Sequence, residues 1–403
     1  MTTILKASGA AELLALVPVL SGFTPRRSAV LLPFAGRRTA GAIRFDLPEG
    51  DSGSERDSDS VPHAGSGSVP SPNAGEDPVT TEARERFAAT AVGLACRVPD
   101  TDALAIVLYR DEPLTAGEDA SPSPFPGAAL MDDLLLRATA CGLRIVEALC
   151  VGPDAWGDYL DPDRVRHHLG DLPAAPAVPG LAPATGDQTT GGQLPPADLA
   201  EKERIGRAWE DVEEALSSGY PRCASARVDP RAFAATLALD DLPAFLEDLL
   251  DAPQNLPPFT VAALIAVLAR PALRDVALIQ WARGKEHGER ALEAQIAFDL
   301  DPGSFPADIG EVMLGRGARP DPDRLGLALS LARSAAALAP RRARPGALAA
   351  AAWLSWALGR STPAAHHLDQ ALLIDPEHSF AGLLRRLLNA SPLPDWVFAR
   401  ARA

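Results

Sequence analysis

The side chains best suited to binding a small ligand lie near the N-terminus. Arg44 and Asp46 alternate along a predicted strand and therefore share one face of it. Arg27 and Ser28 stand at the start of the preceding predicted strand. Because guanidinium groups bind carboxylate and phosphate oxygens through paired hydrogen bonds, these four residues predict a site for a small polar or anionic ligand. The alternative is an ordinary solvent-facing strand, on which an exposed Arg–Asp pair contributes under about 1 kcal/mol.

A second candidate is the aromatic segment 154–159, which contains Trp156 and Tyr159 and follows a predicted strand. Open parallel sheets bind their ligands at the carboxyl ends of the strands. The two rings would then form a stacking surface or a lid over a ligand. The alternative is an aromatic cap over the core of the domain.

Acid–base chemistry at the same edge of the sheet would need carboxylates, and Asp46, Glu147 and Asp158 are the candidates. The chain has no GxxxxGK loop, no GxGxxG after a strand, no HExxH and no GxSxG elbow. These absences weigh against P-loop hydrolases, zincins and α/β-hydrolases. The catalytic residues of any activity therefore stay unknown, and an enzyme of unrecognised type is kept as an alternative.

The histidines and cysteines predict no metal site and no cofactor. His167 and His168 are adjacent, as are His366 and His367, and neighbours on a helix point about 100° apart. Neither pair can therefore supply two ligands to one ion. The four cysteines are widely spaced without a CxxC motif, which is typical of reduced, mostly buried thiols.

The charge balance bears on partners and location. The formal net charge is −15, which argues against nucleic acid and anionic lipid as main partners. The short basic cluster 341–344 is more typical of a turn between helices than of a nucleic-acid contact. The longest uncharged apolar run, 261–269, is about half of a membrane span. We expect a soluble, cytoplasmic protein, and its oligomeric state stays open.

The N-terminal part of the chain, 1–171, is predicted to be an α/β domain. Its predicted strands are 28–34, 39–47, 103–109 and 143–151, and its predicted helices are 5–20, 81–96 and 128–140. Short connections between alternating strands and helices favour a mostly parallel or mixed sheet with flanking helices, bordered by the first hairpin. This sheet would position both candidate sites.

Three segments rich in Pro, Gly, Ser or Ala interrupt this pattern. Residues 49–78 form an acidic insert that we expect to be disordered, because it has too few apolar residues to offset its ordering entropy. Residues 115–127 are a Pro-rich loop, and 172–197 are a Pro/Gly/Ala-rich linker. The linker predicts a domain boundary.

The remaining segment, 198–403, is predicted to be an all-α domain. Ala364, Leu368, Ala371 and Pro376 occupy the relative positions of a tetratricopeptide (TPR) pattern, and a weaker copy lies 36 residues earlier. This spacing predicts TPR-like helical hairpins, which pack into concave surfaces that dock proteins. Alanine-rich hairpins without repeat ancestry are the equal alternative.

Three short motifs stand out together: the opening Leu-Val-Pro-Val-Leu-Ser-Gly-Phe at 16–23, Arg-Phe-Asp-Leu-Pro at 44–48, and the Trp-Leu-Ser-Trp stretch at 353–356. In these motifs the chain resembles the actinobacterial domain-of-unknown-function 4192 family. Relatives continue the Trp/Tyr segment with a Ser-Tyr and Cys-Pro stretch, which is missing here after Tyr159. Any thiol or metal role of that stretch would not carry over. The family implies the architecture and no established activity.

These observations favour an uncharacterised binding protein. Its α/β domain would hold a small polar or anionic ligand, and its helical domain would dock a protein partner. The alternatives are an enzyme acting at the edge of the sheet and a purely structural scaffold.

Overall fold

A computed structural model of the chain describes residues 7–39, 41–48, 78–114, 124–175, 184–218, 229–300, 306–390 and 393–398. The chain divides into two compact units, Met1–Gln188 and Thr189–Ala403. Of the acidic insert predicted at 49–78, residues 49–77 lie outside the described residues, as does most of the Pro-rich loop at 115–127. Pro78, the last residue of the predicted insert, begins a helix. The domain limits drawn from the sequence stay a prediction.

The first unit is a mixed sheet with flanking helices. Its strands are β1 (Ser28–Ala35), β2 (Arg38–Thr39), β3 (Ile43–Asp46), β4 (Ala103–Tyr109), β5 (Arg144–Val151), β6 (Ala155–Asp158) and β7 (Arg166–His168). Its helices are α1 (Ala10–Ser21), α2 (Pro78–Cys96) and α3 (Ala128–Ala140). The strand order is β2-β1-β4-β5-β6-β7, and β3 also pairs with β1.

Among the described strands only β4 and β5 run parallel, with α3 as their connection. The other pairs are antiparallel. The sequence predicted either a mostly parallel or a mixed sheet, and the mixed sheet is therefore confirmed. The mostly parallel one is wrong, because β6 and β7 extend the sheet as hairpins. The aromatic segment 154–159, expected as a loop after a strand, contains β6, and Tyr159 directly follows this strand.

Helices cover both faces of this sheet because its central strands are apolar on both sides. Val30 and Leu32 of β1 pack in a buried cluster with Leu13 and Val17 of α1. The opposite face carries α2, where Phe45 meets Phe87 edge to face at a centroid distance of 5.9 Å. The central strands β1 and β4 are therefore buried along most of their length, and their ends are where a ligand could reach them.

The second unit is helical throughout its described part. Its helices are α4 (Leu199–Ser218), α5 (Pro230–Leu237), α6 (Leu242–Asp251), α7 (Pro258–Ala269), α8 (Pro271–Arg283), α9 (Lys285–Leu300), α10 (Ala307–Met313), α11 (Pro322–Leu338), α12 (Arg344–Ala357), α13 (Ser361–Ile374) and α14 (Ser379–Ala390). No described helix is both long and apolar enough to cross a bilayer.

Helix α12 is the centre of this helical core. All of its residues from Pro345 to Ala357 are buried. Its alanines and Gly346 let neighbouring helices approach, and a Cβ at 346 would lie 2.4 Å from the carbonyl oxygen of Leu268. Helix α13 packs against α12, and α14 against α13. The all-helical prediction is confirmed, whereas the TPR-like repeat stays a prediction.

Candidate functional site

Three of the candidate residues, Asp46, Ser28 and Trp156, lie in one row that crosses the sheet at the carboxyl ends of β4 and β5. In-register pairs join Asp46 to Ser28, Ser28 to Tyr109, Tyr109 to Val151 and Val151 to Trp156. Side chains in register on neighbouring strands share a face. The row places Asp46 and Trp156 at one sheet edge, but four strand spacings, roughly 19 Å, separate them. They cannot contact the same small ligand.

Arg44 is tied into a network at the start of β1. Its Nε donates to the Ser28 hydroxyl at 2.7 Å, and its Nη1 donates to a carboxylate oxygen of Asp46 at 3.3 Å. The Ser28 hydroxyl in turn donates to the carbonyl of Arg26 at 2.5 Å. The Arg44 side chain is only 10% exposed. Its charge is thus balanced by Asp46, and the network fixes β1 against β3.

Arg27, next in the chain, adopts a left-handed backbone conformation with φ of +43°. Its carbonyl accepts a hydrogen bond from the amide of Leu47 at 3.2 Å. The amide and carbonyl of Arg26 are clamped by the buried side chain of Gln188, at 3.1 and 2.8 Å. The Arg27 side chain is 65% exposed, and its Nε lies 3.7 Å from the exposed carboxylate of Asp111. A strained but well-held loop therefore presents Arg27 to solvent.

Trp156 and Tyr159 belong to different clusters. Trp156 is buried in the cluster beneath α1 and stacks on the ring of His167 at a centroid distance of 4.4 Å. Tyr159 packs against the cluster that contains Phe125 and Cys150, and its hydroxyl donates to the carbonyl of Pro126 at 2.5 Å. The two rings therefore do not form a common stacking surface.

Two of the three candidate carboxylates are neighbours. Asp158 of β6 is in register with Leu149, so Glu147 of β5 lies diagonally from it on the same face. Both side chains are half-buried. Burial raises the pKa of Glu147, and the Asp158 carboxylate raises it further. Burial likewise raises the pKa of Asp158. Asp46 lies three strands from Glu147 and does not join this pair.

Arg110, directly after β4, carries a buried charge that was not predicted from the sequence. The Arg110 side chain is 3% exposed, and its Nε and Nη2 donate to the Glu112 carboxylate at 3.2 and 3.1 Å. Gly127, at the start of α3, makes room for this guanidinium, since a Cβ there would lie 3.2 Å from Nη1. An arginine directly after a wholly apolar strand was the available signal. The pair anchors the loop after β4.

The potential metal ligands do not converge. No group of three His, Cys, Asp or Glu side chains within the described ranges is placed to hold an ion. Cys150 is buried, and burial raises the pKa of its thiol to about 11.

Comparison with known proteins identifies the family. A family model described as a domain of unknown function, DUF4192, matches residues 11–298, well over half of the chain. No curated protein and no solved structure matches the chain. The match spans the sheet with both candidate groups, and it continues through most of α9. The chain therefore belongs to the DUF4192 family.

Proposed function

We propose that the chain is a ligand-binding protein whose α/β unit takes a small anionic ligand at the carboxyl edge of β4 and β5. The supporting observation is the guanidinium of Arg27, presented at that edge, where its one ion pair with a described residue is the exposed pair to Asp111. Such a pair contributes little in water, so an incoming anion can displace Asp111 at low cost. Backbone strain of the kind found at Arg27 is concentrated at functional sites.

The other residues of the predicted site support Arg27 rather than contact the ligand. Ser28, Arg44 and Asp46 bond to one another, and this fixes the strand that begins immediately after Arg27. Gln188 holds the residue before it. The ligand therefore meets a loop that needs little reordering, which favours binding.

Differential scanning fluorimetry of the full chain tests this proposal. The panel contains small carboxylic acids at millimolar concentration. A ligand that binds only the native state raises the melting temperature. We expect Arg27→Gln to abolish the shift and Arg37→Gln to keep it, because Arg37 is exposed at the opposite end of β1. No shift with any anion, or a shift that survives Arg27→Gln, contradicts the proposal.

An enzyme is the second candidate, and the Glu147–Asp158 pair favours it. Neighbouring carboxylates whose pKa values are raised can divide the roles of acid and base. A screen of chromogenic ester, phosphate and glycoside substrates, with Glu147→Gln beside the native chain, tests it. Turnover that is absent, or equal in both proteins, removes this candidate.

Docking of a protein partner by the helical unit stays a prediction. The purely structural alternative gains support only if both experiments fail.

A further inference from the structure

Three segments of the chain line one cavity of the helical unit. Arg341 and Arg344 come from the turn that leads into α12, and His366 and Gln370 come from α13. The cavity has a volume of about 410 Å³. This volume falls within the range of roughly 300–1,000 Å³ that is typical of small-molecule sites.

The positive charge in this cavity has no acidic partner among the residues that the structure describes. No carboxylate is among the described residues that line it. Arg341 has no ion pair or hydrogen bond to any described side chain. Arg344 donates from Nη2 to the carbonyl of Ala339 at 3.1 Å, while its buried Nε has no partner within the described part of the chain. Two guanidinium groups thus face one cavity in a chain of net charge −15.

Arg342, which lies between them in sequence, is placed differently. Its Nη2 lies 3.0 Å from a carboxylate oxygen of Glu210, and its guanidinium stacks over the ring of Trp209 at 4.7 Å. It does not line the cavity. The same turn therefore neutralises one arginine and leaves its two neighbours available to an anion.

His366 and Gln370 add hydrogen-bonding groups to the wall. The amide nitrogen of Gln370 lies 2.8 Å from Nε2 of His366. Because an amide nitrogen can only donate, Nε2 accepts and the neutral ring carries its proton on Nδ1. Gly192 lies directly against this ring, since a Cβ there would come within 2.9 Å of Cδ2. This close approach brings Gln193 to the edge of the cavity.

We propose that this cavity binds a small organic phosphate, with the phosphate group between the guanidinium groups of Arg341 and Arg344. Planar guanidinium groups match phosphate oxygens and form strong charge-assisted hydrogen bonds with them. Leu194, Leu373 and Ile374 form an apolar part of the lining against which the organic moiety packs. Leu373 is 78% exposed, so a ligand would remove apolar surface from water. The site is separate from the proposed site in the α/β unit.

Isothermal titration calorimetry of the full chain with phenyl phosphate tests this site. We expect binding of one equivalent, weakened at least about tenfold by Arg341→Gln and further by the double change with Arg344→Gln. Arg342→Gln removes the same charge from the same turn and should change the affinity by less than about twofold. Arg27→Gln should leave this binding intact, which separates the result from the proposal for the α/β unit.

A second titration uses inorganic phosphate. It should bind more weakly than phenyl phosphate, because it lacks the apolar moiety. No heat of binding up to roughly 10 mM phenyl phosphate overturns the proposal. An equal loss of affinity in Arg342→Gln also overturns it, since general charge would then explain the binding. Inorganic phosphate that binds as tightly as phenyl phosphate overturns the assigned ligand class. Because Arg341 is exposed, its single change is expected to fold and decides the test if the double variant does not.

Discussion

The buried imidazole of His367 should make the stability of the helical unit depend on pH. The residue has no exposed surface, and neither ring nitrogen finds a hydrogen-bond partner among the described residues. Burial, helped by the charges of Arg333 and His366, lowers the pKa of His367 from 6.5 to about 4. The native state therefore holds the ring neutral at pH values where the unfolded chain protonates it.

Acid should destabilise this unit in part through His367. Between pH 6.5 and pH 4 the unfolded chain binds more protons at His367 than the native chain does, so the free energy of unfolding falls as the pH falls. With these two pKa values the loss is about 2 kcal/mol at pH 5 and roughly 3 kcal/mol at pH 4. At lower pH the loss levels off, because the native ring is then protonated as well.

The change His367→Leu isolates this contribution. Urea unfolding is followed by tryptophan fluorescence near pH 7.5 and pH 5, since five of the six tryptophans lie in the helical unit. We expect the leucine variant to lose about 2 kcal/mol less than the native chain on acidification. Near pH 7.5 it should be as stable as the native chain or more stable, because an apolar group replaces an unsatisfied polar one. His366→Gln, at an exposed neighbour, should keep the native pH dependence.

Equal losses in the native chain and the leucine variant would refute the reasoning. So would a pKa of His367 above about 6 in an NMR titration of the folded chain, because an unshifted pKa means a solvated ring.

Three further predictions concern Gln188, Cys150 and Gly315. Gln188→Ala removes both hydrogen bonds to the backbone of Arg26. Hydrogen exchange followed by mass spectrometry should therefore be roughly fivefold faster in the peptide that contains Arg26. Unchanged exchange would mean that these hydrogen bonds are not formed in solution. Cys150, whose thiol pKa burial raises to about 11, should resist alkylation at pH 8 until urea is added, while the exposed cysteines react. Gly315→Ala should lower the free energy of unfolding, measured by urea titration, by about 2 kcal/mol or more. The reason is that Gly315 has a φ of +78° and that a Cβ there would lie 2.6 Å from the ring of Trp356. A variant as stable as the native chain contradicts this geometry.

The sequence predicted those elements whose apolar composition by itself indicates that they are buried. The strand at 28–34 is a continuous apolar run, and the structure buries both of its faces. Strand β6 was missed because its four residues Ala-Trp-Gly-Asp include a glycine and an acid. Tertiary packing supports it instead, since the Phe125 ring occupies the space of the missing Cβ of Gly157. Once β6 is recognised, the spacing of three residues already puts Trp156 and Tyr159 on opposite faces.

The candidate site was predicted in its residue types more than in its roles. Alternation along β3 correctly placed Arg44 and Asp46 on one face, but it could not show that they bond to each other and to Ser28. The cavity between Arg341 and His366 was beyond sequence reasoning, because it depends on how α12 and α13 pack.

The burial of α12 has a consequence for any attempt to shorten this protein. The family match ends at residue 298, yet the hydrophobic core that includes Leu264 and Trp281 continues through α12 to Trp396. A chain truncated at 298 would expose the faces of α7 and α8 that α12 now covers. Such a fragment should aggregate or be degraded, because large apolar patches left in water associate. The fragment that keeps this core covered is therefore longer than the segment by which the family is identified.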